Sequence, residues 1–374
     1  MKKIVVGIDM SDLKYESTGQ KTFLQELTVQ FQTLNDPRFT FVYFTTPFHQ
    51  LKGRNSFILL AQHLQMQIWK QLLLPFKAYF SKCDIVFCSD YFVPFFHLGF
   101  KSVQIFHDAF FFENPEHYNK YWRLIHRYLA MPAARKSSFI ITPTDYARQT
   151  VHHYTGIPLH QLVRIYEAPK TWDTTIISSI ASDKLKSFLD TRYIFNVGIM
   201  DKRKNLSLLI KAFKILVDQG LTDTKLVLAG KGTGRKSSDD SEHILALIKQ
   251  LDLENEVILT GYLSETDLEL AYKNAALYVF PSLNEGFGIP VLEAFKAGIP
   301  VLVANNSCLP EVGGKGVISF DPHDEMALAV SIRYILHDEP ARKKLIQNGQ
   351  ERLLHFSWEK SAKEFLSVFE KTVH

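Results

Sequence analysis

Two glutamates, Glu285 and Glu293, stand eight positions apart near the C-terminal end of the chain and flank a glycine-rich turn. An apolar stretch typical of a β-strand, Leu277–Phe280, precedes them, and the turn predicts the start of a helix. One carboxylate is therefore expected on the loop after a strand and the other on the first turns of a helix. The free N–H groups of a helix start bind anions, and carboxylates accept hydrogen bonds from hydroxyl groups. This combination suits a nucleotide-sugar, whose diphosphate lies between a ribose diol and a sugar ring.

Two adjacent cations, Arg203 and Lys204, follow another predicted strand, Tyr193–Val197, and the glycine Gly198. Positive charges at the start of a helix interact unfavourably with the helix dipole. A bound anion would offset that cost, and the two cations could neutralise the charge that builds up on a diphosphate leaving group. The alternative is an exposed basic turn.

Two glycines at strand ends can let a ligand approach the backbone. Gly230 opens a glycine-rich loop after the predicted strand Lys225–Ala229, but Arg235 stands where dinucleotide-binding and Walker motifs both require glycine. Gly19 precedes a helix after the first predicted strand, Lys3–Ile8. Gly230 would permit close approach of the backbone to a ligand, and the backbone at Gly19 could approach the donor phosphates or the acceptor. A flexible turn and a plain helix start are the alternatives.

One histidine has a context that suggests chemistry. His107 ends the predicted strand Val103–His107, where it can donate to a sugar hydroxyl or stabilise charge. A purely structural histidine is the alternative.

No metal site is expected. The chain has no two aspartates separated by a single residue, the arrangement that holds a divalent ion against a sugar diphosphate. Its three cysteines also lack metal-ligand spacing. Charge neutralisation is therefore expected from Arg203, Lys204 and helix ends instead.

The elements that must position these residues follow a simple pattern. Short apolar β-rich runs alternate with amphipathic helical stretches, which predicts an α/β protein with two Rossmann-like, doubly wound parallel sheets. Ligands of such sheets collect at the carboxyl ends of the strands. The predicted organisation is an N-terminal domain over 1–170, a linker over 171–191, a C-terminal domain over 192–355 and a terminal helix over 356–374.

Composition bounds the class of protein. An apolar content of 46% with 22% charged residues is typical of a globular protein. The odd number of cysteines suggests reduced thiols and a cytoplasmic setting. The first apolar run is too short for a signal peptide.

Charge is unevenly distributed along the chain. Residues 1–170 carry a net charge of +7 and residues 171–374 a net charge of −3. A basic N-terminal half suits an anionic partner or an anionic membrane surface, with an ordinary solvated surface as the alternative. The segment His63–Lys82 has the composition of an interfacial amphipathic helix or of a helix whose apolar side covers the sheet.

Taken together, these residues give a chain that resembles the family 4 glycosyltransferases, which are retaining, metal-independent enzymes of the GT-B fold. The resemblance covers almost the whole length and is strongest from Tyr193 to Pro322. Its most specific part is the sequence Glu-Gly-Phe-Gly-Ile-Pro-Val-Leu-Glu-Ala that begins at Glu285. The turn at Arg203 and the strand end at His107 are similar to those of bacterial mannosyltransferases of surface-polysaccharide synthesis.

The resemblance implies a role for each candidate residue. Arg203 and Lys204 would hold the diphosphate, and His107 would face the transferred sugar. Glu285 would contact hydroxyl groups of the donor sugar, and Glu293 would bind the ribose. The other implied nucleotide-sugar contacts are Gly19, Gly198, Gly230, Gly261, Tyr262, Gly286, Phe287, Gly288, Val291 and Leu292.

The implied reaction transfers a hexose, with mannose favoured, from a GDP-sugar or UDP-sugar to a glycan or lipid-linked saccharide. It would need no cofactor and no nucleic acid, and it would belong to cell-surface polysaccharide synthesis. The two domains would face each other across a cleft, with the C-terminal helix crossing back to the N-terminal domain. The protein would work in the cytoplasm, either free or peripherally at the inner face of the membrane.

One position departs from the family pattern. In many relatives, the glycine that corresponds to Gly198 is followed directly by arginine. This chain has Ile199 at that position. A non-catalytic sugar-nucleotide-binding subunit is therefore one alternative function. A nucleotide-sugar epimerase of the same fold is another.

Overall fold

The computed structural model describes residues 3–15, 19–49, 51, 56–113, 120–172, 182–234 and 238–374. The chain forms two compact units: the first contains Met1–Ala168 and Ser357–His374, and the second contains Pro169–Phe356. Arg235 and residues 173–181 of the predicted linker lie outside the described residues.

The first unit is built on a parallel sheet of six strands in the order β2-β1-β3-β4-β5-β6. The strands are β1 Ile4–Asp9, β2 Phe39–Phe44, β3 Ile85–Cys88, β4 Lys101–Ile105, β5 Phe139–Thr142 and β6 Leu162–Arg164. The helices are α1 Asp12–Tyr15, α2 Gly19–Leu34, α3 Ser56–Ile68, α4 Leu74–Phe80, α5 Phe110–Glu113, α6 Lys120–Ile125, α7 Met131–Lys136 and α8 Asp145–Thr155. β3 is buried along its whole length, as expected for a parallel strand that is covered on both faces.

Two helical rods of this unit contain a π turn just before a proline. Residues Trp69–Leu73 form the first turn, between α3 and α4, and His126–Ala130 form the second, between α6 and α7. Pro75 and Pro132 follow at the second positions of α4 and α7. Proline has no N–H, and its ring clashes with the carbonyl four residues earlier in a regular helix. The wider π turn relieves that clash, so each rod continues through its proline.

The second unit repeats the architecture with the strand order β12-β11-β10-β7-β8-β9, again all parallel. The strands are β7 Arg192–Val197, β8 Thr224–Ala229, β9 Val257–Gly261, β10 Leu277–Phe280, β11 Val301–Ala304 and β12 Val317–Phe320. The helices are α9 Asp183–Lys186, α10 Leu206–Asp218, α11 Ser241–Gln250, α12 Glu265–Asn274, α13 Ile289–Ala297, α14 Leu309–Gly313, α15 Glu325–His337 and α16 Glu339–Leu353. The prediction of two doubly wound parallel sheets is confirmed.

The last helix, α17 (Trp358–Val373), belongs to the first unit. The Ser357 side chain caps it by accepting a hydrogen bond from the Lys360 N–H at 3.1 Å. The rings of Phe365 and Phe369 lie 5.4 and 5.8 Å from the ring of Phe87 in β3. The predicted return of the C-terminal helix to the N-terminal domain is therefore confirmed, and its apolar side covers one face of that sheet.

No helix in the described ranges combines the length and the hydropathy needed to cross a membrane.

Candidate functional site

The predicted site residues of the second unit lie at one edge of its sheet. Gly198, Gly230, Tyr262 and Glu285 stand on the loops after β7, β8, β9 and β10. All four strands are parallel, so their carboxyl ends meet at the same edge.

The centre of this edge is an ion-pair triad of Arg203, Lys204 and Glu285. The Lys204 Nζ lies 2.6 Å from Glu285 Oε1, and the Arg203 Nη1 lies 2.9 Å from Glu285 Oε2. A backbone bond of 2.8 Å from the Leu283 N–H to the Arg203 carbonyl joins the two loops. The cations lie on a single 3₁₀ turn, which the Asp201 side chain caps by accepting a hydrogen bond from the Arg203 N–H at 3.0 Å. Residues far apart in the chain thus form one compact charged cluster.

Burial and pairing set the charges of the triad. Burial opposes ionisation of Glu285, but the positive charges of Arg203 and Lys204 outweigh it and lower the pKa of the carboxyl to about 2. Burial lowers the pKa of Lys204, and the neighbouring Glu285 carboxylate works against that shift. With all three groups ionised, the triad keeps one net positive charge for an anion.

The pairing revises the picture of Glu285 as a sugar contact alone. Both of its carboxylate oxygens already hold a cation, so its visible role is to position Arg203 and Lys204. Each carboxylate oxygen has two lone pairs, so sugar hydroxyls can still donate to it.

Glu293 lies in the second turn of α13, within the first turns of the helix as expected, and is 8% exposed. The Tyr272 hydroxyl of α12 donates to its Oε2 at 3.0 Å. Burial raises the pKa of Glu293, against which the Tyr272 bond and the charges of Lys170 and Lys296 act. Tyr272 was not predicted, because nothing in its own sequence context marks it as a partner of a carboxylate.

The start of α13 offers fewer backbone donors than expected. Pro290 has no N–H, and the Val291 N–H donates to the Gly288 carbonyl at 3.0 Å. The side chains of Val291 and Leu292 are buried in the core. Phe287 is also buried, with its ring against Phe356. These residues could therefore contact a nucleotide-sugar only through their backbone atoms.

Position 230 requires glycine because the backbone of Gly198 packs closely against it. A Cβ atom at this position would lie 1.8 Å from the Gly198 carbonyl oxygen, and the φ angle of 147° also favours glycine. The Gly230 N–H donates to the Gly261 carbonyl at 2.9 Å. The three glycines thus hold three strand-end loops together. Beside them, Tyr262 is 65% exposed and Ile199 is 42% exposed, so both present side chains at this edge.

In the first unit, His107 lies two residues beyond the end of β4, between two acceptors. Its Nδ1 is 2.9 Å from Glu167 Oε1, and its Nε2 is 3.2 Å from the Ser89 carbonyl. A neutral imidazole can donate from only one nitrogen, so this arrangement selects the doubly protonated ring. Burial opposes the charge, but the bond to Glu167 and its negative charge outweigh it, and the pKa of His107 is raised. Both ring nitrogens of His107 therefore have partners that favour its protonated form.

Glu167 was missed by sequence reasoning. It stands three residues after β6, a three-residue strand of mixed polarity that the apolar pattern did not reveal. Gly19, the remaining candidate of this unit, is the exposed first residue of α2.

Comparison with known proteins gives a family match for part of the chain and several relatives. Residues 179–352 match the family described as glycosyl transferases group 1. The chain is 30% identical over 275 residues to the serotype-specific mannosyltransferase WbdA of Escherichia coli, covering 72% of this chain and 33% of WbdA. It thus spans about a third of the length of that relative. It is 26% identical over 282 residues to the O-antigen chain mannosyltransferase B of Escherichia coli, covering 72% and 70% of the two chains.

A solved structure shows the same fold over the whole chain. Anabaena Alr3699/HepE, determined in complex with UDP and glucose, superposes with a TM-score of 0.69 at 16% identity. The match covers 99% of this chain and 100% of that one. The chain therefore has the GT-B fold, and its residues 179–352 are similar to the glycosyl transferases group 1 family.

Proposed function

We propose that this chain transfers a hexose from a nucleoside diphosphate sugar to a glycan or lipid-linked saccharide, with retention of the anomeric configuration and without a metal ion. The observation that carries the proposal is the triad of Arg203, Lys204 and Glu285 at the carboxyl edge of the second sheet. The names of the two mannosyltransferase relatives favour mannose as the sugar. The O-antigen in one of these names also favours surface-polysaccharide synthesis as the setting. The UDP complex of the structural neighbour supports a nucleotide-sugar donor.

In the proposed reaction, the bond between the anomeric carbon and the diphosphate oxygen breaks, and its electrons remain on the phosphate. The acceptor hydroxyl oxygen bonds to the anomeric carbon on the same face, and its proton passes to the departing phosphate oxygen. Arg203 and Lys204 stabilise the negative charge that develops there. Glu285 keeps the two cations in place and accepts from sugar hydroxyls, and it forms no bond to the sugar.

A donor screen followed by a transfer assay tests the proposal. The purified protein is melted with GDP-, UDP-, dTDP- and ADP-sugars, because a ligand at 100 times its Kd stabilises the fold by about 2.7 kcal/mol. Turnover of the best donor is then measured for the wild type and for Lys204→Ala, which we expect to be about 10²–10³-fold slower. Lys211→Ala, an exposed lysine on α10, is the matched control. Equal turnover in Lys204→Ala, or a trapped covalent glycosyl-Glu285, would overturn these roles.

A non-catalytic sugar-nucleotide-binding subunit is the second candidate function. The observation that favours it is Ile199, whose apolar side chain is exposed at this edge of the sheet. Many family 4 glycosyltransferases have arginine at this position, so this chain lacks one of their cations. Hydrolysis or transfer of the donor by the purified protein would exclude this candidate. Conversion of the donor sugar without any acceptor would instead indicate an epimerase.

A further inference from the structure

The first unit exposes an unusual number of large apolar side chains. Half of those that are exposed in the described parts of the chain lie between Leu60 and Tyr128. Six of them lie on the rod formed by α3, its π turn and α4, and all but Tyr79 are spaced by four or eight residues, which is typical of one side of a helix. They are Leu60, Leu64, Leu72, Phe76, Tyr79 and Phe80.

The same rod also has a buried apolar side. Trp69, Leu74 and Ala78 are buried in one cluster with Val86 and Cys88 of β3. The core-facing prediction for this helix is therefore correct for one side only. The opposite side presents apolar residues to solvent, and contiguous exposed apolar surface marks an interaction site.

The second rod, formed by α6, its π turn and α7, lies beside the first. Ala133 of α7 belongs to the same buried cluster. The Phe95 N–H donates to the side chain of Gln71 in the first rod at 2.8 Å, and Lys136 Nζ of the second rod lies 3.7 Å from the centre of the Phe95 ring. The loop and the second rod add further exposed apolar side chains, which are Phe96, Leu124 and Tyr128.

The charges on this surface have one sign. Residues 56–83 and 122–138 together contain seven Lys and Arg, of which all but Lys70 are exposed, and no Asp or Glu, whereas the whole chain has 39 acidic residues in 374, roughly one in ten. The exposed cations of the two rods, and of the turn that follows α4, are Lys77, Lys82, Arg123, Arg127, Arg135 and Lys136. We call the outward side of the two rods and the intervening loop the basic apolar face.

We propose that the basic apolar face docks on an anionic lipid bilayer. A bilayer interface accepts aliphatic and aromatic side chains into its acyl boundary while its headgroups attract the surrounding cations. A nucleic acid would pair with the cations but would leave exposed leucines such as Leu64 and Leu72 in water. A second copy of the chain, packed face to face, would oppose cations to cations. The inference rests on the proposed function only in that a lipid-linked acceptor would lie in such a membrane.

Vesicle flotation without any donor tests the face itself. The wild type is expected to float with vesicles of phosphatidylcholine and phosphatidylglycerol, less strongly at high salt, and weakly with phosphatidylcholine alone. Each lysine near an anionic surface contributes roughly fivefold to the partition coefficient, so Lys77→Gln/Lys82→Gln should bind about 25-fold more weakly. Phe76→Ser/Phe80→Ser should bind the vesicles at least about tenfold more weakly, because these exposed rings would enter the acyl boundary.

The matched control is Val330→Ser/Tyr334→Ser, which removes two exposed apolar side chains from α15 of the second unit. All variants are first checked for unchanged thermal melting. The proposal would be overturned if the wild type did not bind anionic vesicles. It would also be overturned if the control variant lost as much vesicle binding as Phe76→Ser/Phe80→Ser. Sedimentation of the wild type as a dimer that Phe76→Ser/Phe80→Ser converts to a monomer would overturn it as well. Because no donor or transfer is involved, failure of the proposed function leaves this result unaffected.

Discussion

Replacing Glu285 by glutamine tests the triad most directly. The substitution keeps the size of the side chain and removes the charge that pairs with Arg203 and Lys204. The pKa of Glu285 falls from the reference value of 4.5 to about 2 in the folded protein. This difference corresponds to about 3 kcal/mol of stabilisation at pH 7. We therefore expect Glu285→Gln to lower the free energy of unfolding of the second unit by about 3 kcal/mol, measured by urea titration.

The pH dependence of that loss has a definite sign. The folded pKa lies below the unfolded one, so the carboxylate stabilises the fold fully above pH 4.5 and less as the pH falls towards 2. The difference between wild type and Glu285→Gln should therefore shrink in acid, to roughly half its neutral value by pH 3.

The same substitution should change anion binding in the opposite direction. In the variant, a diphosphate no longer competes with Glu285 for Arg203 and Lys204, so we expect GDP or UDP to bind roughly tenfold more tightly. Calorimetric titration of the variant, the wild type and Glu242→Gln, an exposed control on α11, measures this change. A stability loss below about 1 kcal/mol, the value of an exposed ion pair, would refute the buried-triad reasoning. Weaker diphosphate binding in Glu285→Gln would refute the competition.

Three further predictions concern the supporting contacts. Gly230→Ala should lose more than about 3 kcal/mol of stability by urea titration, because its Cβ would lie 1.8 Å from a backbone carbonyl oxygen. Tyr272→Phe should lose about 1–3 kcal/mol, because the buried Glu293 carboxylate loses its hydroxyl donor. Glu167→Gln should lower the pKa of His107, followed by nitrogen NMR of the ring. The raised pKa means that the His107 charge stabilises the fold below its unfolded pKa and stops doing so as the pH rises through the folded pKa.

Controls separate these effects from general damage. Gly220 has a positive φ but no atom within 4 Å of an added Cβ, so Gly220→Ala should cost much less than the clash at Gly230. Tyr334→Phe removes an exposed hydroxyl and should be neutral. An unchanged His107 titration in Glu167→Gln would show that Glu167 does not hold the proton on the ring.

Most strands could be predicted because each strand is marked by the apolar pattern of its own few residues. β10 occurs at the predicted bounds, and β7 and β8 begin one residue before them, since buried parallel strands are short continuous apolar runs with clear ends. β4 begins two residues earlier than predicted, because Lys101 and Ser102 are polar. The short strand β6 was missed for the same reason: its place at the sheet edge is set by pairing with β5.

The candidate residues were predictable only as types at strand ends. The sequence identifies Glu285, Arg203 and Lys204 as charged groups on separate loops, but 81 positions separate Lys204 from Glu285. Their pairing depends on β7 and β10 being neighbours in the sheet, which local patterns do not encode. Tyr272 as the partner of Glu293 and Glu167 as the partner of His107 could not be predicted for the same reason.

The sequence by itself determined the alternation of strands and helices, the two sheets, the family resemblance and the charged residues at strand ends, because these depend on neighbours within a few positions. Tertiary structure alone decided that Glu285 holds both cations, that His107 lies between two acceptors and that one side of α3 and α4 remains in solvent. Such facts depend on which distant segments pack together, and burial then sets their charges.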